Sequence, residues 1–244
     1  MKQFFFIVFA SSLLIISCTT PEEEVYHQTS VKKDSTIKKQ PLAIVDSTYD
    51  SALVKFPAVT TALKRWFDFY KKKYPDFDVA AFKRDGASVN SFTSRNEEMS
   101  KENLGLYKNL FIYSPDRSSL IDMDTYNFFL SKDKNGNLVG EGGDPETEVA
   151  LVDLKKQTRT QLFYAGPFTV FDDAAWLNQY QLAIAILDGN EKSNVFVPGI
   201  TIIDFANNTT IGYRYIKKIN VDPGNYEGLV RLKGIKINYT VNVE

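Results

Sequence analysis

The chain has 244 residues with 29 Lys plus Arg against 30 Asp plus Glu. That is length for one sizeable core or two small domains, and too even a charge for a nucleic-acid footprint. Hydrophobic residues make up 43%, which excludes a wholly disordered chain, and one His with one Cys excludes a disulfide framework, a Cys/His zinc site or an array of imidazole ligands.

Met1 to Cys18 reads MKQFFFIVFASSLLIISC: Lys2, an apolar run from Phe4 to Ile16, then small Ser17 before the only cysteine. This is a signal-peptide pattern, and the run is shorter than the roughly 20 residues a helix needs to cross a bilayer core. The ending Ile15-Ile16-Ser17-Cys18 resembles the lipobox of bacterial lipoproteins. The resemblance implies that the Cys18 thiol receives a diacylglycerol and that Cys18 becomes the mature N-terminus. Each buried methylene of an acyl chain such as palmitate contributes about 0.8 kcal/mol, so more than one chain gives stable anchoring without a spanning helix.

Thr19 to Gln40 is rich in charge, Ser and Thr and almost free of large apolar residues, the composition of a disordered tether. Glu22-Glu23-Glu24 resembles the short acidic signals that route some Bacteroidota lipoproteins to the cell surface, though solubility alone also favours such acids. Asp34-Ser35-Thr36, Asp46-Ser47-Thr48 and Asp50-Ser51-Ala52 resemble the O-glycosylation acceptor of the same bacterial group. His27 also lies in the tether. Nucleophile systems of the Ser-His-Asp or Cys-His kind need a positioned imidazole beside a folded pocket, so both are disfavoured.

The folded part is expected to begin near Leu42. From Pro57 to Tyr74 the residues Val59, Leu63, Trp66, Phe67, Tyr70 and Tyr74 fall on one helical stripe. Pro57 suits a first helical position, Lys71-Lys72-Lys73 suit the negative end of the helix dipole, and Pro75 stops the helix. Such an aromatic stripe is read as the face packed on a core. Asp76 to Phe82 is read as a short strand, and Arg95 to Asn103 as a loop or a short second helix.

From Tyr107 onward, short apolar or alternating runs punctuated by Gly, Pro, Asn and Asp predict successive strands. These are Leu110–Tyr113, Leu120–Leu130, Leu138–Glu141, Glu148–Leu154, Arg159–Tyr164, Thr169–Phe171, Gln181–Asp188, Val195–Val197, Thr201–Phe205, Thr209–Ile216, Gly228–Lys233 and Ile235–Val243. Val149-Ala-Leu-Val-Asp153-Leu154 and Ile200-Thr-Ile-Ile-Asp204-Phe205 share an apolar run closed by Asp, 51 residues apart. Each run follows a turn, a strand and a polar hairpin tip. Residues 107 to 215 thereby resemble β-propeller blades, although two units are too few to close a propeller. A truncated propeller-like sheet, an assembly between chains and a meander or sandwich stay open.

Several constellations bear on chemistry. Asp133-Lys134-Asn135-Gly136-Asn137 superficially suggests a calcium loop, but Gly136 is fourth and Glu141 ninth, where an EF-hand needs six and twelve. Asn-Gly between alternating runs is instead a hairpin turn. Gly140 to Pro145 lacks the Lys-Ser/Thr of a phosphate loop and reads as an inter-strand loop, a place to look for a partner. Asp122 with Asp124 on one strand face, and Asp172-Asp173 ahead of Trp176, are the carboxylate pairs that could hydrolyse a glycosidic bond without His or metal. The simpler reading makes each pair a solvated face or turn, and Trp176 a core aromatic.

The expected fold is α+β, mostly β: a signal peptide over 1–17, a disordered tether over 18–41 after lipidated Cys18, a helical segment over 42–106 packing on the core, and an antiparallel β-rich domain over 107–244 with two blade-like repeats. The expected function is a lipid-anchored lipoprotein of the cell envelope, on the outer membrane, periplasmic or surface-exposed. It would be a non-enzymatic binding or scaffold module contacting an envelope protein or a glycan, with no nucleic-acid partner, cofactor or metal. The alternative is a carboxylate-dependent glycan hydrolase.

Overall fold

The computed structural model describes residues 52–142, 146–190 and 195–239. The expected signal peptide, Cys18, His27 and the whole of the expected tether lie outside them. The architecture is α+β and mostly β: two five-stranded sheets stacked face to face, helices outside one, and a small third sheet outside the other.

The predicted helix appears as α1 (Pro57–Ala62) and α2 (Lys64–Lys73), interrupted at Leu63. The break follows from Thr60-Thr61: β-branched residues are stiff, and Thr60 Oγ1 bonds back to the Pro57 carbonyl at 3.0 Å, a contact that bends helices. The apolar stripe survives the break. Val59, Leu63, Trp66, Phe67 and Tyr70 are all buried, and burying each large apolar side chain contributes about 1.5–3 kcal/mol.

The residues that follow depart from expectation. Phe82–Val89 forms β1, preceded by one turn of 3-10 helix at Val79–Ala81, and Thr93–Asn96 forms β2. The helix α3 spans Lys101–Leu106, with Ser100 Oγ accepting from Asn103 N. The segment between the first helix and Tyr107 thus supplies two strands besides helices. Both are edge strands with mostly exposed side chains, so neither shows the alternation that marks a half-buried strand.

Eleven more strands follow: β3 (Ile112–Tyr113), β4 (Ser119–Asp122), β5 (Phe128–Lys132), β6 (Leu138–Gly142), β7 (Thr147–Asp153), β8 (Thr158–Ala165), β9 (Thr169–Trp176), β10 (Gln181–Asn190), β11 (Val195–Asp204), β12 (Thr209–Tyr215) and β13 (Lys236–Tyr239). The sheets are ordered β1-β12-β11-β10-β9, β2-β8-β7-β4-β3 and β13-β6-β5. All pairs are antiparallel except β13 with β6.

Three sequence readings are corrected by local chemistry. The run Leu120–Leu130 divides because Asp122 Oδ1 accepts from the backbone N–H groups of Asp124 and Thr125, each at 3.0 Å, which turns the chain. Val195–Val197 and Thr201–Phe205 merge into β11. Pro198 is tolerated there because pairing with β12 begins only at Gly199, so the missing N–H interrupts no ladder on that side. Gly228–Lys233 is mostly not a strand: Glu227–Arg231 is a helical turn, closed by Leu232 N to the Glu227 carbonyl at 2.7 Å.

The 51-residue repeat is structural. β9-β10-β11-β12 is a sequential meander, β3-β4-β7-β8 has the same antiparallel order with the β5-β6 hairpin inserted between its second and third strands, and Asp153 and Asp204 each close the third strand. Asp153 pairs with Ser119 and Thr158, and Asp204 with Gln181 and Thr209. Each carboxylate accepts from the turn that follows: Asp153 from Lys155 N and Lys156 N, Asp204 from Asn207 N. Each turn ends in a left-handed residue, Gln157 and Asn208, both at φ 54°. The described residues form two five-stranded sheets and a three-stranded one, and no closed propeller. Glutamine is poorly suited to this conformation, so Gln157→Gly is expected to stabilise the domain by about 0.5–1 kcal/mol, read as a rise in chemical-denaturation midpoint.

Three cores result. Helix residues meet Ala183, Ala185, Ile200 and Tyr213 on the outer face of one sheet. Ile121, Val149 and Leu162 of one sheet meet Phe171, Leu182, Ile184 and Ile203 of the other. Leu120 and Val152 on the far face meet Tyr107, Leu110, Phe128 and Leu130. No helix among the described residues is long and apolar enough to cross a membrane.

Candidate functional site

The carboxylate pairs identify the first site to consider. Asp172 is the extra residue of a bulge in β9: Ala185 faces Asp173 while Ile186 faces Phe171. A bulge re-aims side chains, and here both adjacent acids engage groups outside the interface between the large sheets. Asp172 Oδ2 accepts from Trp66 Nε1 at 2.9 Å and Tyr70 Oη at 2.7 Å. Asp173 accepts from Arg65 Nη2 at 2.9 and 3.0 Å and from Tyr226 Oη. Burial pushes the Asp172 carboxyl up to about 6 despite the two donors, and its Oδ1 has no partner. The Tyr70 and Tyr226 hydroxyls are pushed well above the ordinary tyrosine range, first by burial and then by the neighbouring carboxylates.

Asp122 and Asp124 do not form a solvated face either. Arg159, on β8, bonds Asp122 Oδ2 at 2.7 Å and Glu148 Oε1 at 2.8 Å, and all three side chains are essentially buried. Burial lowers the Arg159 pKa, but the two carboxylates outweigh it and hold the guanidinium above its usual value. Asp124 instead meets Arg231 of the C-terminal helical turn, which also binds Glu227. Trp176 donates to the Ile112 carbonyl at 3.2 Å and packs on Phe205, so it is a core aromatic. All four predicted acids are therefore interior ties.

A polar concavity of about 300 Å³ lies elsewhere, on β1, β12 and β11, and a larger one of about 720 Å³ opens beside α1 and α2 among Thr60, Lys64, Lys71 and Asp78. The strand register fixes the layout of the first. Gly86, Gly212 and Thr201 form the middle row, Ser88 and Thr210 the row at one end, and Arg214 with Gly199 the row at the other. Asp85 is the extra residue of a bulge in β1, and Gly86 beside it takes φ 140°. Arg214 stands between two acids, with Nη1 3.8 Å from Asp85 Oδ2 and 3.2 Å from Asp188 Oδ2. Glycoside hydrolysis needs two acids facing each other across the scissile bond. Here a guanidinium stands between them.

The remaining candidates resolve as follows. Asp133 accepts from the backbone of Asn135 at 2.8 Å and of Asn137 at 2.9 Å, with Gly136 at φ 82°, so this is the expected hairpin turn. Gly140 is closely packed: a Cβ there would lie 2.5 Å from Ile237 Cδ1 of β13, whose side chain would have to shift. Residues 143–145 of that loop lie outside the described residues. Among the described residues, no group of three or more His, Cys, Asp or Glu could hold a metal ion. Sequence reading missed the trough because its parts are 126 residues apart where Gly86 faces Gly212. The available signal was a glycine inside the strand Thr-Thr-Ile-Gly-Tyr-Arg-Tyr. Comparison with protein-family models, curated proteins and solved structures finds no match.

Proposed function

We propose that the chain is a lipid-anchored lipoprotein of the cell envelope, held in the outer membrane through Cys18, whose β-rich domain is a non-enzymatic binding or scaffold module. The observation that carries the non-enzymatic part is the fate of the carboxylates. Asp122, Asp124, Asp172 and Asp173 are each tied to arginine, tryptophan or tyrosine inside the fold, where general acid/base work would require a substrate within hydrogen-bond reach. The accessible polar trough rests on three paired strands, a rigid platform of the kind that presents binding groups. The anchor rests on the sole cysteine at the end of the Phe4 to Ile16 run.

Two measurements test this reading. Cys18→Ala is expected to abolish lipid addition, read as a lower intact mass, and to shift the chain out of the membrane fraction; unchanged mass and fractionation would refute the anchor. Crosslinking in native membranes followed by affinity recovery is expected to return a reproducible envelope protein or glycan. Turnover of an envelope glycan by the purified chain would instead refute the non-enzymatic part.

A further inference from the structure

Three glycines line the trough, and two have reasons internal to the fold. A Cβ on Gly199 would lie 2.9 Å from Ile186 Cγ1, so close packing requires that glycine. Gly86 has the positive φ of its bulge. Gly212 has neither reason. Its φ is ordinary, nothing lies within 4 Å of where its Cβ would be, and it sits in a strand paired on both sides. Glycine weakens a strand interior and marks a bulge or a close approach from outside; Gly212 faces the β1 bulge, yet the space above it stays empty. The space over Gly212 is open to something other than this chain.

The walls define what fits. Asp85, Asp188 and Arg214 supply acceptors and a donor, while Ser88 and Thr201 supply hydroxyls that do both. The β12 backbone beneath is already paired with β1 and β11, so an added peptide strand has no ladder to join on this face. Two carboxylates around one guanidinium leave a net negative rim, which disfavours anionic ligands. Ile186 and Val197 give a small apolar strip beside the polar groups. A volume of about 300 Å³ sits at the low end of small-ligand sites, which span roughly 300–1,000 Å³. We infer that the trough over Gly212 binds one or two units of a neutral saccharide, whose hydroxyls meet the Asp85–Arg214–Asp188 rim and whose C–H face lies on the glycine floor. The inference rests on the binding reading and names the ligand class.

The test uses the full lipidated chain in a detergent without a sugar headgroup, titrated with cellotriose, chitotriose, maltotriose, mannotriose and anionic trigalacturonate. At least one neutral trisaccharide is expected to bind with a Kd of about 1 mM or tighter, and more tightly than trigalacturonate. Gly212→Val is expected to weaken that binding by at least about tenfold while leaving Tm unchanged or raised, since it fills empty space with a strand-favouring residue. Arg214→Met, at a half-exposed position, is expected to do the same and decides the matter should Gly212→Val misfold. The inference is overturned by any of three results: no neutral trisaccharide bound at about 10 mM, tighter binding of trigalacturonate, or unaltered binding in both variants. Recovery of a protein partner alongside such a failure would leave the binding-module reading standing. Hydrolysis of a bound trisaccharide would defeat the non-enzymatic reading while keeping the site.

Discussion

Arg159→Met is expected to cost the folded domain about 3–5 kcal/mol, because removing one member of a buried charge cluster strands the others. Arg159 neutralises both Asp122 and Glu148, and all three lie within the fold with little exposure. Methionine keeps much of the arginine stem volume, so the loss reports charge rather than packing. Chemical denaturation of the full chain measures it, as a lower midpoint at unchanged slope. The complementary variant combines Asp122→Asn with Glu148→Gln and Arg159→Met, which removes the three buried charges and leaves the exposed Arg95–Glu97 pair at the edge of the cluster. It is expected to recover most of the loss, since a neutral replacement of a buried ion cluster is close to isoenergetic. The amide introduced by Asp122→Asn would still offer an oxygen to the N–H groups of Asp124 and Thr125, preserving the turn. A single-variant loss below about 1 kcal/mol would show that the cluster is hydrated and contributes like a surface pair.

Lowering the pH from 7.5 to 5 is expected to stabilise the Asp172 region, the reverse of ordinary acid sensitivity. Asp172 titrates at about 6 in the folded domain because burial disfavours its charge, against about 3.9 in an unfolded chain. Between these values the folded state binds the extra proton, so stability rises as pH falls through 6 and the gain is complete near 4. The span corresponds to about 2–3 kcal/mol. Asp172→Asn mimics the protonated form, keeping an oxygen for Trp66 and Tyr70. It is therefore expected to exceed the wild type in stability at pH 7.5, to match it near pH 4, and to lose the share of the pH dependence that Asp172 supplies, while Asp124, also pushed up to about 6 by burial, keeps its own share. Equal pH profiles for the two proteins, measured by thermal denaturation, would show that the carboxylate is ionised throughout.

What sequence could reveal followed the range of the interaction. The α1–α2 stripe, the Asn135-Gly136 turn and the strand closed by Asp at Asp153 and again at Asp204 were legible because spacings within a few residues determine each of them. The fate of Asp172 was not, since its partners Trp66 and Tyr70 lie over 100 residues earlier. Nor was the burial of Asp122 foreseeable, because its cation comes from a strand 37 residues on. β1 and β2 were hidden for a different reason. Edge strands with exposed side chains carry no period-2 hydrophobic signal, and only their pairing to β12 and β8 defines them. Arg214 and Gly212 were anonymous for the same reason: a concavity belongs to three strands at once.

The bridge between Ala52 and Lys83 has a mechanical consequence. Lys83 lies on β1 two residues from Asp85 on the rim of the trough. Ala52 is the first described residue after the tether. If the chain is anchored as proposed, tension enters the described residues at Ala52, which bridges Lys83 and continues directly into Leu53, fully buried in the core under the helices. The first load would therefore fall on that bridge at the edge of the trough and on buried Leu53, not on the packing between the two large sheets.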